Sequence, residues 1–314
     1  MMTVADNRQV VQARETQQDS HMSWVAVIGA PNAGKSTLVN RIVGAKISIV
    51  SHKVQTTRTR VHGIIQRDQT QLAFIDTPGL FAPRHRLERA MVQAAWKGTV
   101  AADKIVLLVD ARVGITDRVR AISAALQQKR RQAILALNKI DLIEPSRLLK
   151  LVSTLNAVGD FTETFMISAV TGDGVADLVA LLVRQAPVGP WLFHDNALSD
   201  MPMCLLAAEI TREQIFLRLH QELPYALTVR SDRWEEREDG SVQIHQTIIV
   251  LRENQRAIVL GRGGSRVKSI GWAARQELEE TFTRRVHLFL AVKVDSCWLA
   301  NRSYYREWSL NFDV

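Results

Sequence analysis

The stretch Gly29-Ala-Pro-Asn-Ala-Gly-Lys-Ser36 decides the fold of this chain. It fits the pattern G-x-x-x-x-G-K-[ST], and it stands between an apolar run at 24–28 and a helix-like run at 37–42. A strand, a glycine-rich loop and a helix in this order form a phosphate-binding loop, because backbone N–H groups and the helix N-terminus then face phosphate oxygens. The sequence therefore predicts a nucleotide-binding α/β domain.

Residues of this loop are candidate phosphate and metal ligands. Lys35 is expected to reach the β- and γ-phosphates, and the Ser36 hydroxyl is expected to ligate Mg²⁺. The other nucleotide-binding candidates of the loop are Gly29, Asn32, Ala33, Gly34 and Thr37. A glycine-rich turn that matches the pattern by accident is the alternative, which three further motifs downstream weaken.

The base-reading motif is Asn138-Lys139-Ile140-Asp141, which follows the apolar run 133–137. The Asp141 carboxylate can accept hydrogen bonds from guanine N1–H and from the exocyclic amine, a donor pair that adenine lacks. The motif therefore predicts GTP or GDP as the bound nucleotide. The backbone of Ser168 and Ala169, after another apolar strand, is expected to contact guanine O6.

Two segments between these motifs are predicted to respond to the γ-phosphate. In Asp76-Thr77-Pro78-Gly79, Asp76 would hold Mg²⁺ through water and the Gly79 N–H would contact the phosphate. In Gln55-Thr56-Thr57-Arg58, one threonine would complete the metal site; we favour Thr57, although Thr56 stays open. The predicted metal ligands are thus Ser36, Thr57 and Asp76, and the predicted catalytic groups are Lys35, Thr57 and Gly79.

Composition limits the remaining possibilities. The chain has 314 residues, of which 46% are hydrophobic, so it can form two domains with cores of their own. No apolar run reaches the roughly 18 residues that span a bilayer. The net charge of +8 lies entirely in residues 1–199, and residues 200–314 are neutral. Cys204 and Cys297 lack metal-ligand spacing and are expected to be reduced, in a cytoplasmic protein.

The pattern of apolar segments predicts two domains. Residues 1–23 are polar and are predicted to be a disordered extension, followed by a GTPase domain over 24–190 with a mainly parallel, doubly wound sheet. Strands are expected near 24–28, 61–66, 71–76, 104–110, 133–138 and 163–168. Turn-rich residues 191–202 are predicted to be a linker before a second domain over 203–296 and a tail over 297–314.

The second domain has the element order α-β-β-α-α-β, with Gly261-Arg-Gly-Gly264 between its last two helices. This order resembles a KH domain of the second topological type, an α+β fold whose G-x-x-G loop clamps about four nucleotides of RNA. A basic stretch without acidic residues, 254–276, surrounds the loop. The RNA-binding candidates are Ile258, Gly261, Arg262, Gly263, Gly264, Arg266 and Lys268. Ile258 and Ile270 are expected either to form the apolar floor of the RNA groove or to belong to the core. For the domain as a whole, the alternative to RNA binding is a protein-binding scaffold.

The phosphate loop, Gln-Thr-Thr-Arg, Asp-Thr-Pro-Gly and Asn-Lys-x-Asp together resemble the Era family over residues 24–295. The stretch 51–58, Pro224-Tyr225 and the 258–264 loop belong to this resemblance. It implies a GTP-hydrolysing switch that binds 16S rRNA near its 3′ end and assists 30S subunit assembly. It also implies partial peripheral association with the inner membrane, for which no amphipathic or lipidation signal is present. We expect a monomer.

Two departures bear on mechanism. Pro31 stands where Ras-type GTPases have glycine, and Leu80 stands where they have the glutamine that orients water. We therefore expect slow hydrolysis, and we regard Asn32 as a candidate ligand for K⁺. The alternative is a GTP-dependent binding module with negligible hydrolysis that acts through protein partners. The tail after Asp295 also drifts from the family pattern.

Overall fold

The computed structural model describes residues 20–51, 53, 56–58, 60–219 and 227–314. Three parts of the sequence prediction lie outside the described residues: the extension up to residue 19, residues 52, 54 and 55 of the stretch 51–58, and the pair Pro224-Tyr225.

The first domain is built on a six-stranded sheet in the order β2-β3-β1-β4-β5-β6. Its strands are β1 (His21–Gly29), β2 (Val61–Arg67), β3 (Thr70–Asp76), β4 (Lys104–Asp110), β5 (Ala133–Asn138) and β6 (Phe161–Met166). All neighbouring pairs are parallel except β2 and β3, which are antiparallel. The predicted mainly parallel sheet is therefore confirmed, and the carboxyl ends of its parallel strands meet at one edge.

Helices cover both faces of this sheet, as its strongly apolar strands require. They are α1 (Lys35–Val43), α2 (Arg86–Ala101), α3 (Asp117–Gln128), α4 (Pro145–Asn156) and α5 (Val175–Arg184). One core cluster joins α1 and α5 to the sheet, and a second joins residues of α2, α3 and α4 to its other face. The domain is thus doubly wound.

One predicted boundary of this domain is wrong. Strand β1 begins at His21, because residues 21–27 pair with β3, so residues 20–23 belong to the domain and not to an extension. The segment 191–202, predicted to be a linker, contacts the first domain: the Gln71 side chain bonds the backbone of Leu192 and Phe193, and the Leu198 carbonyl accepts from the Ile64 N–H at 2.9 Å. These contacts fix the segment along the β2–β3 side of the sheet.

The second domain packs three helices on a three-stranded sheet in the order β7-β8-β9. Its elements are α6 (Met203–Arg218), β7 (Leu227–Glu236), β8 (Val242–Val250), α7 (Glu253–Leu260), α8 (Ser265–Phe282) and β9 (Val286–Val294). Strand β7 is antiparallel to β8, and β9 is parallel to it. The predicted α-β-β-α-α-β order is confirmed.

Residues 297–314, predicted to be a tail, form a folded part of the molecule. They contain a 3-10 turn (Trp298–Ala300) and a short helix, α9 (Arg302–Glu307). Trp298, Tyr304, Tyr305 and Trp308 are buried together with apolar residues of α2 and with Leu205 and Ile249 of the second domain. This aromatic cluster makes the C-terminal residues a bridge between the two domains.

Candidate nucleotide and RNA sites

The phosphate loop runs from the end of β1 to the start of α1, as the sequence pattern requires. Gly34 has φ +97°, and a Cβ at this position would lie 2.3 Å from Nδ2 of Asn138, so only glycine fits. The buried Lys35 ammonium donates to the Ala30 carbonyl at 3.1 Å, inside the loop. Burial lowers the pKa of Lys35 to about 8, against the opposing charge of Asp76. Phosphate oxygens would relieve this cost.

Polar side chains from three elements meet beside the loop. Ser36 Oγ donates to Asp76 Oδ2 at 2.7 Å and lies 2.9 Å from Thr57 Oγ1. The other carboxylate oxygen, Asp76 Oδ1, is buried and has no hydrogen-bond partner in the described chain. The Ser48 hydroxyl, close enough to lower the pKa of Asp76, is likewise buried without a partner. An oxygen cluster with an unsatisfied carboxylate fits a hard cation such as Mg²⁺.

The pKa of Asp76 also supports a cation at this site. Burial raises the pKa of Asp76 above its usual range, and the Ser36 hydrogen bond and the Lys35 charge oppose the rise without cancelling it. A divalent cation placed among these oxygens would offset the cost of the buried negative charge.

The structure separates the two threonines of the Gln-Thr-Thr-Arg motif. Thr57 Oγ1 belongs to the cluster with Ser36, whereas Thr56 Oγ1 donates to the Lys53 carbonyl at 2.6 Å and lies 3.0 Å from Ser51 Oγ. Thr56 therefore holds the local turn. The geometry favours Thr57 as the metal ligand.

Gly79 approaches the phosphate loop closely. A Cβ at Gly79 would lie 2.9 Å from the backbone nitrogen and Cα of Pro31, so the two loops pack backbone to backbone. The next residue, Leu80, is 3% exposed in the core beneath α2, and its N–H donates to the Gly29 carbonyl at 3.0 Å. Leu80 consequently points away from the site and cannot orient water.

The guanine side is organised by Asn138 at the end of β5. Its amide donates to the Ala33 carbonyl at 2.8 Å and accepts from the Ala169 N–H at 2.9 Å, so it ties the phosphate loop to the 168–169 turn. Lys139 donates to the Asn32 carbonyl at 2.7 Å and to Asp110 at 2.6 Å. Asp141 follows with an exposed side chain. The predicted base-site residues therefore converge at the carboxyl edge of the sheet, where ligands of such sheets bind.

Sequence reasoning missed two residues of this site. Asp110, which pairs with Lys139, ends an apolar strand at the same sheet edge, and that position was a usable signal. Arg41 of α1 donates through Nε to the Ala169 carbonyl at 3.2 Å and through its terminal nitrogen to the Val170 carbonyl. A basic residue in the last turn of a helix gave no hint of this contact.

The segment that precedes and contains Thr57 is held by the second domain. We call the described residues of 46–58 the switch segment. Lys46 donates to Glu213 of α6 and to Glu277 of α8, and the Val50 N–H donates to Glu213 at 2.6 Å. Burial alone would lower the pKa of Lys46, but the two carboxylates outweigh it and raise the pKa. For Glu213, burial dominates over Lys46 and raises the pKa.

The rest of the switch segment is anchored in the same way. Lys53 donates to the carbonyls of Phe216 and Leu219 at the end of α6. The Arg212 guanidinium donates to the Thr56 carbonyl, one residue before Thr57, and is itself held by Glu209 with a 2.7 Å bond from Nε. The candidate metal ligand is thus positioned by residues of the second domain.

The candidate RNA site lies where α7 passes into α8. Gly261 has φ +70°, and a Cβ there would lie 2.8 Å from the Arg266 side chain, so glycine is required. A pocket at this turn is lined by Ala257, Ile258, Gly261, Arg262, Ser265 and Arg266. Ile258 is 40% exposed, whereas Ile270 is 1% exposed in the core. Ile258 is therefore a groove residue and Ile270 a core residue.

The basic candidates around the loop differ in accessibility. Arg262, Gly263, Arg266 and Lys268 are exposed, and Gly264 is half-buried. Arg266 donates to the Ile258 carbonyl at 3.1 Å, which keeps its side chain across the groove. Arg256, also part of the basic stretch, pairs with Glu253 at 2.6 Å. The exposed cations leave the groove with a positive rim suited to phosphates.

Neither cysteine is in a disulfide: Cys204 and Cys297 are free and exposed. In the parts of the chain that the structure describes, none of the helices has the length and apolarity to cross a bilayer.

Two family models match the chain. One, described as a 50S ribosome-binding GTPase, matches residues 24–139, and the other, described as a KH domain, matches residues 222–299. The matches fall on the two domains of the fold.

Curated relatives cover nearly the whole chain. A protein named GTPase Era from Dinoroseobacter shibae is 52% identical over 301 residues, which span 95% of this chain and 98% of the relative. A GTPase Era from Caulobacter vibrioides is 49% identical over 314 residues, 96% and 99% of the two chains. Both domains and their order are therefore shared with these proteins.

Two solved Era structures are similar to this chain over nearly its whole length. A crystal structure of Era in complex with MgGDPNP and nucleotides 1506–1542 of 16S ribosomal RNA is similar with a TM-score of 0.87 and 35% identity, over 94% of this chain and 100% of that one. An Era variant from Aquifex aeolicus bound to GDP·AlF4⁻ is similar with a TM-score of 0.87 and 34% identity, with the same coverage.

Proposed function

This chain belongs to the Era family of GTPases, and from that premise we propose that it is a GTP-driven switch that binds 16S rRNA through its KH domain and assists 30S subunit assembly. The observation that carries the proposal is that the switch segment contacts both the candidate metal cluster and the second domain. Its Thr57 lies in the candidate metal cluster, while Lys46, Lys53 and Thr56 are held by helices of the RNA-binding domain.

For hydrolysis, the residues act by position and charge. Lys35 would contact the β- and γ-phosphates, and Ser36 and Thr57 would hold Mg²⁺, with Asp76 acting through water. A cation held by these residues would supply positive charge against the charge that develops on the phosphate oxygens. The Gly79 N–H donates to the γ-phosphate while water attacks it. We assign no general base, because Leu80 is buried away from the site.

For base selection, we propose that Asp141 accepts from guanine N1–H and the exocyclic amine, and that the Ala169 turn meets O6. Support comes from Asn138, which holds Ala33 and Ala169 at fixed positions through its one amide. Its two bonds make the phosphate loop and the base pocket a single rigid frame.

Potassium is a further part of the proposal. Asn32 stands in the phosphate loop with φ +64°, and its exposed side chain borders the pocket that Gly79 and Lys35 also line. We propose that Asn32 ligates K⁺, which supplies the positive charge that other GTPases obtain from an arginine.

A GTP-dependent binding module with negligible hydrolysis is the second candidate function. Buried Leu80 favours it, since the chain offers no side chain for orienting water at this position. Similarity to an Era variant trapped with GDP·AlF4⁻ favours hydrolysis instead. For RNA, the exposed cations around Gly261–Gly264 favour a nucleic acid over a protein partner.

We propose that the protein works in the cytoplasm, where ribosomal subunits assemble, as a monomer. Peripheral association with the inner membrane stays an implication of the family. Fractionation of cells, with the 30S subunit as the reference, tests the location. The protein should sediment with 30S particles, and any part of it in the membrane fraction should be released when the salt concentration is raised.

The test of the main proposal is GTP turnover with and without a single-stranded RNA copied from the 3′ end of 16S rRNA, in K⁺ and in Na⁺ buffer. We expect RNA and K⁺ each to raise turnover. The double variant Arg262→Asp, Gly263→Asp should lose RNA binding and the stimulation while keeping GTP affinity. Lys293→Asp, an exposed residue of β9, is the matched control. RNA binding unchanged in the double variant would refute the KH assignment, and turnover absent in all conditions would favour the binding module.

A further inference from the structure

Helix α8 carries a tryptophan on its solvent side. The buried face of the helix consists of Ile270, Ala273, Ala274 and Leu278, whereas Trp272 is 55% exposed. An exposed indole of this extent leaves a large apolar ring surface in water, and among the described residues the ring has no aromatic or cation–π partner.

Trp272 stands on the same side of α8 as the candidate RNA groove. Ser265, which lines that groove, begins the helix. At 3.6 residues per turn, Trp272 is about two turns further along on nearly the same face, about 10 Å away. An RNA strand that leaves the groove along this face would therefore meet the Trp272 indole.

Two cations flank the ring. Lys268 and Arg275 are one turn before and one turn after Trp272 on the same face, and both side chains are exposed. No ion pair within the described residues engages either of them. Acidic residues are absent from 254–276, so this face has the charge that a phosphate chain requires.

We propose that Lys268, Trp272 and Arg275 form a second RNA subsite, at which a nucleotide beyond those in the Gly261–Gly264 loop stacks its base on the Trp272 indole. The cations contact the phosphates on either side of that nucleotide. Every base has a π-face, so the subsite extends the footprint on single-stranded RNA without fixing its sequence. This inference rests on the RNA binding proposed above.

The observations favour RNA over a protein partner. A protein-binding tryptophan is typically ringed by apolar neighbours, and here the exposed residues one turn before and one turn after the ring, Lys268 and Arg275, are cations. The first residue of the same helix, Ser265, lines the groove. Alternating cationic and aromatic side chains are the arrangement found in grooves that track a nucleic-acid strand.

The experiment compares a four-nucleotide RNA, which fills only the loop, with a ten-nucleotide RNA from the 3′ end of 16S rRNA, by fluorescence anisotropy on the full chain. Trp272→Ala should weaken binding of the longer RNA about tenfold, because stacking contributes about 1–3 kcal/mol per base, and should leave the short RNA unaffected. Trp272→Phe should retain most of the affinity. Lys268→Gln and Arg275→Gln should each reduce the salt slope for the longer RNA by about 0.7.

Phe289→Ala is the matched control. Phe289 is 50% exposed in the same domain, but it stacks on His245 on the sheet face away from α8. Unchanged affinity of Trp272→Ala for the longer RNA would overturn the subsite, as would an equal loss for both RNAs. Failure of both RNAs to bind the unmodified chain would instead overturn the proposed RNA function, and the subsite with it.

Discussion

The guanidinium of Arg58 lies 5.6 Å from the ring centre of Trp308, so the switch segment is packed against the C-terminal aromatic cluster. Trp298 lies at the same distance, and Arg58 donates to the Leu227 carbonyl at 3.0 Å. Burial, helped by the charge of Arg212, lowers the pKa of Arg58 to about 9, so the group stays charged at neutral pH. The two rings replace part of the hydration that this cation loses.

Replacing Arg58 should therefore weaken the whole molecule. Arg58→Ala removes a desolvated cation–π contact and the hydrogen bond to the Leu227 carbonyl, and we expect the free energy of unfolding to fall by about 2–3 kcal/mol. Urea unfolding followed by tryptophan fluorescence measures this. Arg118→Ala, on the exposed side of α3, is the control and should change stability by less than about 0.5 kcal/mol. Equal effects of the two variants would show that the rings do not hold Arg58 in solution.

The two threonines of the switch segment should respond differently to removal of their hydroxyls. Thr57→Ala should lower the rate of GTP turnover by at least about tenfold and raise the Mg²⁺ concentration needed for half-maximal rate, because it removes a metal ligand. Thr56→Ala loses only the bonds to Lys53 and Ser51 and should stay within about threefold of the parent. Turnover measured across a Mg²⁺ titration decides between them, and the reverse ranking would assign the metal to Thr56.

Gly79→Ala should make the protein insensitive to the γ-phosphate. The new Cβ would lie 2.9 Å from Pro31 backbone atoms, so one of the two loops has to move. Overpacking of this kind costs about 1–3 kcal/mol, and we expect GTP affinity to fall about tenfold while GDP affinity changes little. Competition titrations with both nucleotides measure this. Gly189→Ala, where no atom lies within 4 Å, should change neither affinity. An equal loss for GTP and GDP would contradict a γ-phosphate role.

The pH dependence of stability should reveal Glu213. Burial raises the pKa of this carboxyl above its unfolded value, so the folded state binds a proton that the unfolded state releases. Its contribution to stability is present below the unfolded pKa of 4.5 and is lost as pH rises through the folded pKa. Glu213→Gln, which stays neutral, should consequently gain stability relative to the parent as pH rises from about 4.5 upward.

Thermal unfolding of both proteins across this pH range measures the difference. Glu280→Gln, an exposed residue of α8, is the control and should give a constant difference. The prediction fails if the difference for Glu213→Gln is also constant or changes in the opposite direction. Either result would mean that the Lys46 charge lowers the pKa of Glu213 at least as much as burial raises it.

The sequence predicts the parts of this protein that depend on local pattern. The phosphate loop, the strand ends at Asp76 and Asn138, and the α7–α8 turn at Gly261 each follow from a few neighbouring residues. The structure brings the first three together at one edge of the sheet and forms a groove at the fourth. The Era-family fold is confirmed on both domains.

What the sequence could not give is how the domains pack. Nothing in the composition of α6 indicates that Glu213 and Arg212 would hold the switch segment, because both read as ordinary helix-surface charges. The segment from Trp298 onward was predicted to be a tail because its partners, Arg58 and Met91, are remote in sequence. Contacts of this kind arise from tertiary arrangement alone.

The aromatic cluster also sets an order of events during synthesis. Trp298 and Trp308 are made after Arg58, after α2 and after the residues of the second domain with which they pack, since the chain grows from the N-terminus and domains fold as they emerge. The phosphate loop and its sheet are complete long before Arg58 receives its two rings. A newborn chain therefore passes through a stage in which the nucleotide domain is folded while Arg58 of the switch segment still lacks its aromatic partners, and synthesis of the C-terminal residues ends that stage.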